Sequence, residues 1–189
     1  NALEFLADFK AQDGDLGIGE NVVVIGGGNT AMDTARAAKR TKGVEHVYLV
    51  YRRTKRYMPA DEEELEMAVE DGVEFMELLS PVKLEGGKLL CKVMKLGDYD
   101  ASGRRGVVET DEEKEIPADT VIAAVGEKVP TGFYKDNGIH VNDRGRALVN
   151  EESCETNLEG VYIVGDGLGG PATVVEGIRD GRKAAEAVI

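Results

Sequence analysis

A chain of 189 residues with a formal net charge of −13 can bury a core as one domain or as a domain with an appendage. So acidic a balance argues against nucleic acid or an anionic membrane surface as a partner. Its two cysteines, Cys91 and Cys154, form no C-x-x-C pair, so neither an iron–sulfur nor a zinc centre can be assembled from this chain alone. No signal peptide and no apolar run long enough to span a bilayer is present, and a cytoplasmic location is expected.

In chain order, residues 2–12 place Leu3, Leu6 and Phe9 on one face of a predicted helix. The chain opens without a methionine, as a piece of a longer protein would. A loop over 13–19 leads to the apolar strand 22–25, which runs into Gly26-Gly27-Gly28-Asn29-Thr30-Ala31 and a helical stretch over 32–39. Strand, glycine turn and helix in that order are the context in which G-x-G-x-x-[GA] binds a dinucleotide. Gly26 permits the tight turn, Gly28 admits a pyrophosphate to the backbone, and Ala31 lets the helix lie close on the strand. The helix N-terminus then offers its unpaired N–H groups and positive dipole end to the phosphates, with Asn29 and Thr30 among the contacts. The plain alternative is a glycine-rich turn with no ligand.

The next predicted strand, 47–51, ends in Arg52-Arg53-Thr54-Lys55-Arg56. This strand tip faces the adenosine ribose in such folds, where an acid accepts from a 2′-hydroxyl and arginines accommodate a 2′-phosphate. Here Arg52 and Arg53 stand with no acid, Arg56 can assist, and planar guanidinium forks suit a phosphate. The reading is NADP(H) in preference to NAD(H); its alternative is a solvated basic turn.

Pro59, the acids Asp61 to Glu64 and Gly72 mark the ends of a helix whose carboxylates read as a solvated, dipole-matched face. Residues 73–78 should form a third parallel strand, and 80–96, broken at Gly86-Gly87, a β-hairpin in which Cys91 is a buried structural thiol. Residues 97–115 read as a turn-rich connection, with a place between antiparallel strands as one option. Residues 119–124 form a strand ending at Val125-Gly126, where Gly126 either contacts the nicotinamide half of the cofactor or simply turns the chain. A hairpin signal lies at 142–146, and Cys154 falls in a polar loop as an unpaired thiol. His46 and His140 have no nucleophile or acid partner visible nearby in sequence and read as structural. A buried-type strand over 160–166 ends in Gly165-Asp166, and a helix follows over about 174–188.

The blocks GGGNTAMDTAR, YRRTKRYMPADEEE, AAVGEKVP, GVYIVGD and GPATVVEGIRDGRKAA cover almost the whole chain. In this order they resemble the glutamate synthase small-subunit group of FAD- and NAD(P)-dependent oxidoreductases, with the selenate reductase type nearest on the wording of 74–106. The resemblance implies an α/β fold: a three-layer, Rossmann-like NADP(H) domain with a parallel sheet and an antiparallel hairpin crossover, inserted into a split FAD domain. The implied boundaries are a linker helix over 1–18, the NADP(H) domain over 19–130 and a C-terminal remnant of the FAD domain over 131–189. It further implies that Gly165 and Asp166 meet the flavin ribityl chain and that Ala172, Thr173 and Val174 lie near the flavin ring.

The family's FAD domain carries its own glycine fingerprint and ribose acid, and this chain has a single such fingerprint. It also lacks the cysteine-rich module that passes electrons to iron–sulfur centres. The expectation is therefore the NADPH-binding portion of a flavin enzyme, inactive alone and holding FAD poorly, whose partners are the missing FAD and iron–sulfur segments. The alternative is a non-catalytic module that senses NADP(H) or docks a subunit. No catalytic acid, base or metal ligand is expected, because hydride transfer needs none on the hydride itself.

Overall fold

A computed structural model describes residues 1–99, 103–126, 131–170 and 173–188. The run of valines in β1 (Asn21–Gly26) is buried on both faces, as a central parallel strand requires. β2 (His46–Tyr51) and β7 (Thr120–Ala124) pair with it in parallel, and β3 (Glu74–Glu77) pairs with β2, giving the order β3-β2-β1-β7. Alternate residues of these strands face two different layers. Val22, Val24, Val47 and Leu49 pack against helices, whereas Val23, Tyr48 and Val50 pack against a second sheet.

The helical layer begins with α1 (Ala2–Ala11), which Asn1 and Glu4 close with a capping box. Its buried face differs from the one expected. Ala2 and Phe5 are buried and Leu6 and Phe9 partly so, while Leu3 is 51% exposed. Positions 2, 5, 6 and 9 follow the helical repeat as well as 3, 6 and 9 do, and the Phe5 ring, 8% exposed, fixes the rotation. α2 (Asn29–Lys39) lies against the sheet through Ala31, Ala35 and Ala38, all fully buried; methyl side chains allow the close approach. α3 (Glu62–Glu70) contributes Leu65 and Ala68 to the same core.

The connection from β3 to β7 is an antiparallel sheet of β4 (Leu79–Glu85), β5 (Lys88–Tyr99) and β6 (Arg105–Pro117) in the order β4-β5-β6. Leu79, Leu89, Cys91 and Ile116 cover the far face of the parallel sheet and complete three layers. The β4–β5 hairpin is as expected, but most of 97–115 is strand and not turn-rich connection. The polar residues of β6 take strand geometry because cross-strand hydrogen bonds to β5 order them without burial, and register shifts at Lys92/Met94 and Leu96/Tyr99 absorb the irregular spacing. Asp119 fastens the entry to β1. Its carboxylate accepts from the N–H groups of Glu20 (3.0 Å) and Asn21 (2.8 Å), and the Asn21 backbone and side-chain donors hold it below the usual carboxylate range.

Residues 126–189 form a second compact unit. Tyr134 in α4 (Thr131–Asp136), Ile139 and Ala147 make its small core, with Val141, Leu158 and Ile163 against them. The hairpin signal at 142–146 reduces to a single bridge, Val141 to Ala147, over a turn in which Asn142 Oδ1 accepts from the N–H groups of Arg144 and Arg146. The strand expected over 160–166 is absent. A ladder needs neighbours, and in the described residues this stretch has one bridge, Glu155 to Tyr162, before α5 (Asp166–Gly169) begins. Cys154 is a free thiol as read, but buried and in the left-handed region at φ 61°. In α6 (Val174–Val188) Asp180 is buried, whereas Val174, Val175 and Ile178 are exposed. No described helix is long and apolar enough to cross a membrane.

Candidate functional site

The carboxyl ends of β1, β2 and β7 lie side by side. Ile25 pairs with Val50 and Gly26 with Ala124, so the glycine turn, Arg52 and the Val125–Gly126 corner leave the sheet from the same edge, with neighbouring strands about 4.8 Å apart. The chain runs from β1 to β2 on one side and returns as β7 on the other, so this edge is a topological switch point, where open α/β sheets bind ligands.

Each glycine of the turn answers a different demand. A Cβ on Gly26 would collide with the Ala124 carbonyl oxygen and stand 3.0 Å from the Ala31 Cβ, so this glycine and Ala31 let β1, β7 and α2 converge. A Cβ on Gly27 would enter the Tyr51 ring. On Gly28 it would meet nothing nearer than Pro59 Cγ at 4.0 Å, so the space above this backbone is open. Gly28 is also the N-cap of α2, and no side chain caps the helix there. Its carbonyl accepts from Ala31 (2.8 Å) and Met32 (3.3 Å), which starts the helix and leaves the N–H groups of Asn29 and Thr30 as the first-turn donors with no acceptor among the described residues. An uncapped helix N-terminus beside an unobstructed glycine backbone fits a pyrophosphate. Thr30 is exposed in that first turn. The Asn29 side chain is engaged elsewhere: its Nδ2 donates to Asp61 Oδ2 at 3.1 Å and its Oδ1 accepts from the Asp61 N–H at 3.0 Å.

The three arginines at the β2 tip differ from one another. Arg52 is exposed, and its side chain has no hydrogen bond or ion pair to another described residue. Arg53 is half-buried and donates from Nε to the Arg105 carbonyl of β6 at 2.9 Å, tying the tip to the second sheet. Arg105 in turn donates to the Gly97 carbonyl and stacks over the Tyr99 ring at 5.2 Å. Arg56 is exposed and lies 5.9 Å from the Tyr57 ring centroid. No acid pairs with any of the three guanidinium groups in the described residues, so their charge is available to an anion.

Residues 52–61 form a strap across this edge. The Tyr51 hydroxyl donates to the Tyr57 carbonyl (2.8 Å), the Lys55 N–H donates to Glu77 Oε2 (2.9 Å), and the Ala60 N–H donates to the Gly27 carbonyl (3.0 Å). Beyond the strap, α3 is fixed to α2 by Asp71, which accepts from Arg36 Nε at 2.8 Å and Arg40 Nη2 at 2.6 Å. The hydrogen bond from Arg36 is the main cause of the lowered Asp71 pKa. Tyr51, Gly27 and Asp61 are the residues that motif reading missed. G-x-G-x-x-[GA] leaves its second position free, and nothing in the spacing marks Asp61 as more than one of four successive acids.

Gly126 has φ 92°, which favours glycine, and a Cβ there meets nothing within 4 Å. In the second unit, Gly165 precedes α5 and Asp166, its first residue, is exposed. Thr173 caps α6 in a reciprocal arrangement: the Glu176 N–H donates to Thr173 Oγ1 (3.3 Å), and the Thr173 N–H and hydroxyl donate to Glu176 Oε2 (3.0 and 2.9 Å). These donors, led by the Thr173 N–H, hold the Glu176 carboxyl below its usual range. Val174 is 80% exposed at the start of the helix. Ala172 lies outside the described residues.

Comparison with known proteins places these features in a family. The pyridine nucleotide-disulphide oxidoreductase model matches residues 4–181. The chain is 40% identical over 189 residues to YgfK of Escherichia coli (strain K12), a protein named as an oxidoreductase, covering all of this chain and 18% of that one. It is 39% identical over 179 residues to the glutamate synthase [NADPH] small chain of Azospirillum brasilense, covering 90% of this chain and 36% of the relative. The NADP(+)-dependent formate dehydrogenase subunit beta of Moorella thermoacetica is also 39% identical, over 176 residues, with 90% and 25% covered. The chain thus spans well under half the length of these relatives. Among solved structures, T. acidophilum thioredoxin reductase superposes with a TM-score of 0.68 at 26% identity, over 89% of this chain and 51% of that one. FprA from Mycobacterium tuberculosis, at 20% identity and a TM-score of 0.70 over 90% and 52%, shares the fold.

Proposed function

The chain belongs to the pyridine nucleotide-disulphide oxidoreductase family, and on that premise we propose that its first unit is the NADPH-binding portion of a larger flavin-dependent oxidoreductase. The observation that carries the reading is the juxtaposition at one sheet edge of an uncapped helix N-terminus over open glycine backbone with exposed, unpaired Arg52 on the next strand. The backbone N–H groups of Asn29 and Thr30 and the glycines Gly26 and Gly28 hold the pyrophosphate, with Ala31 keeping the helix start close enough for them to reach it. Arg52 takes the 2′-phosphate with help from Arg53 and Arg56, and Gly126 borders the nicotinamide half. Because the chain as a whole is strongly anionic, cations gathered at this edge offset the field that would otherwise repel a dinucleotide.

NADPH supplies a hydride from C4 of its nicotinamide when bound, and the protein's contribution is to hold donor and acceptor in register and exclude water. We assign the acceptor, FAD, to the larger protein. Residues 131–189 are the C-terminal segment of its split flavin domain after a linker helix over 1–18 and an NADP(H) domain over 19–130. There Gly165, Asp166, Ala172, Thr173 and Val174 line part of the flavin site without holding FAD on their own. Iron–sulfur centres, which would lie elsewhere in the assembly, would take the electrons onward. Identities near 40% to a glutamate synthase small chain and a formate dehydrogenase subunit support this branch, and the wording of 74–106 favours the selenate reductase type within it.

Titration with NADPH, NADH and 2′,5′-ADP at low and high salt tests the site. Losing the charge-assisted arginine contact in Arg52→Ala should weaken NADPH binding by about 1.5 to 3 kcal/mol and leave NADH nearly unchanged. Equal affinity of the wild type for NADPH and NADH would remove the 2′-phosphate assignment. Absence of flavin absorbance after purification is the expected second result.

A further inference from the structure

Asp61 occupies the N-cap of α3, with φ −63° and ψ 141°, yet its carboxylate makes no capping bond to that helix. Aspartate is favoured at an N-cap because its side chain satisfies an orphan N–H of its own helix, so a diverted carboxylate calls for another partner. That partner is Asn29, the first residue of α2. The two residues form a reciprocal pair, Asn29 Nδ2 to Asp61 Oδ2 at 3.1 Å and Asp61 N–H to Asn29 Oδ1 at 3.0 Å. One residue earlier, the Ala60 N–H closes on the Gly27 carbonyl. The clip therefore joins the end of the strap, whose start carries Arg52, Arg53 and Arg56, to the turn proposed to take the pyrophosphate.

We infer that Asp61 is a positioning residue for dinucleotide selection: acting through Asn29, it locks the arginine-bearing strap at a fixed offset from the glycine turn. The role rests on the proposed NADPH site and deepens it. A 2′-phosphate and a pyrophosphate on one nucleotide stand at a fixed separation, so their two sets of donors must be held at the matching separation before binding. The carboxylate is otherwise misplaced, since an anion near a pyrophosphate site repels the ligand. Its presence is explained by the geometry it imposes and not by its charge.

The test measures dissociation constants of the 189-residue chain for NADPH and NADH in the wild type, Asp61→Ala, Asp61→Asn, Asn29→Ala and the double alanine variant. Asp61→Asn removes the charge and keeps an oxygen for Asn29 Nδ2. Asp61→Ala should lower the NADPH-over-NADH preference about tenfold, the loss of one well-made hydrogen bond to a charged group. Asp61→Asn should retain the preference within about twofold, and the double variant should lose no more than Asn29→Ala, which already removes both hydrogen bonds of the clip. An unchanged preference in Asp61→Ala overturns the inference. So does tighter binding of both nucleotides in Asp61→Ala and Asp61→Asn alike, which would make Asp61 a repelling charge. A wild type that does not prefer NADPH overturns the site reading itself, a result distinct from either. Asp61→Asn, which changes neither backbone nor volume, separates loss of the clip from loss of folding.

Discussion

Replacing Gly27 by alanine tests how the turn and strap are joined. Gly27 is not among the residues with positive φ, so alanine is conformationally allowed and the cost is steric. The new Cβ would sit 2.6 Å from Tyr51 Cδ2 and 3.0 Å from Cζ, whereas ordinary contacts start near 3.4 Å. The ring must therefore retreat by about 1 Å in a close-packed layer. It is 8% exposed, and its hydroxyl is fixed to the Tyr57 carbonyl at 2.8 Å. Overpacking of this kind costs about 1 to 3 kcal/mol, and breaking the hydroxyl bond adds about 1 kcal/mol, so a loss of about 2 to 4 kcal/mol is expected. Urea unfolding of Gly27→Ala in wild-type and Tyr51→Ala backgrounds provides the assay. Removing the ring should relieve most of the penalty. A penalty of the same size in both backgrounds, or one below about 0.5 kcal/mol with the ring present, would refute the packing account.

Other outcomes follow from the same contacts. Asp119→Ala should be less stable than the wild type at neutral pH. Because the folded-state pKa of Asp119 is lowered, its contribution is complete above the ordinary carboxylate value of 3.8 and disappears as pH falls through the folded value. The gap between the two unfolding curves should close in that acid range and not in the alkaline one. Burial pushes the Cys91 thiol up to about 11, so it should resist thiol reagents at pH 8 until the protein is unfolded. Phe5→Ala should cost about 2 to 4 kcal/mol, against within about 0.5 for Leu3→Ala, as chemical denaturation would show.

Where sequence and structure agree, local chemistry decides the outcome. The valine run of β1 and the glycines and Ala31 that follow it leave no alternative to a buried strand turning sharply into a helix, and Gly86-Gly87 dictates a hairpin. The rotation of α1 was not legible, because two seams share Leu6 and Phe9 and the choice falls to packing of Phe5 against distant residues. The strand character of 97–115 was hidden for a different reason: its order comes from pairing with β5, not from a hydrophobic repeat. The stretch 160–166 shows the converse, with strand-like composition and one bridging neighbour. At the site, the arginines and the glycine turn could be read directly. The bond from Arg53 to the Arg105 carbonyl and the clip between Asn29 and Asp61 join residues 52 and 32 positions apart, and no local pattern encodes them.

The pairing of β1 with β7 has a consequence for biosynthesis. β1 gains one neighbour as soon as β2 has been made, but its other flank waits for residues 120–124, nearly a hundred positions downstream. Until Asp119 arrives to tie down Glu20 and Asn21, a nascent chain carries an apolar strand with an open row of donors and acceptors, a template for pairing between molecules. Translation stalled anywhere in the second sheet leaves that flank bare, so a chain truncated before residue 119 is the form most prone to aggregate.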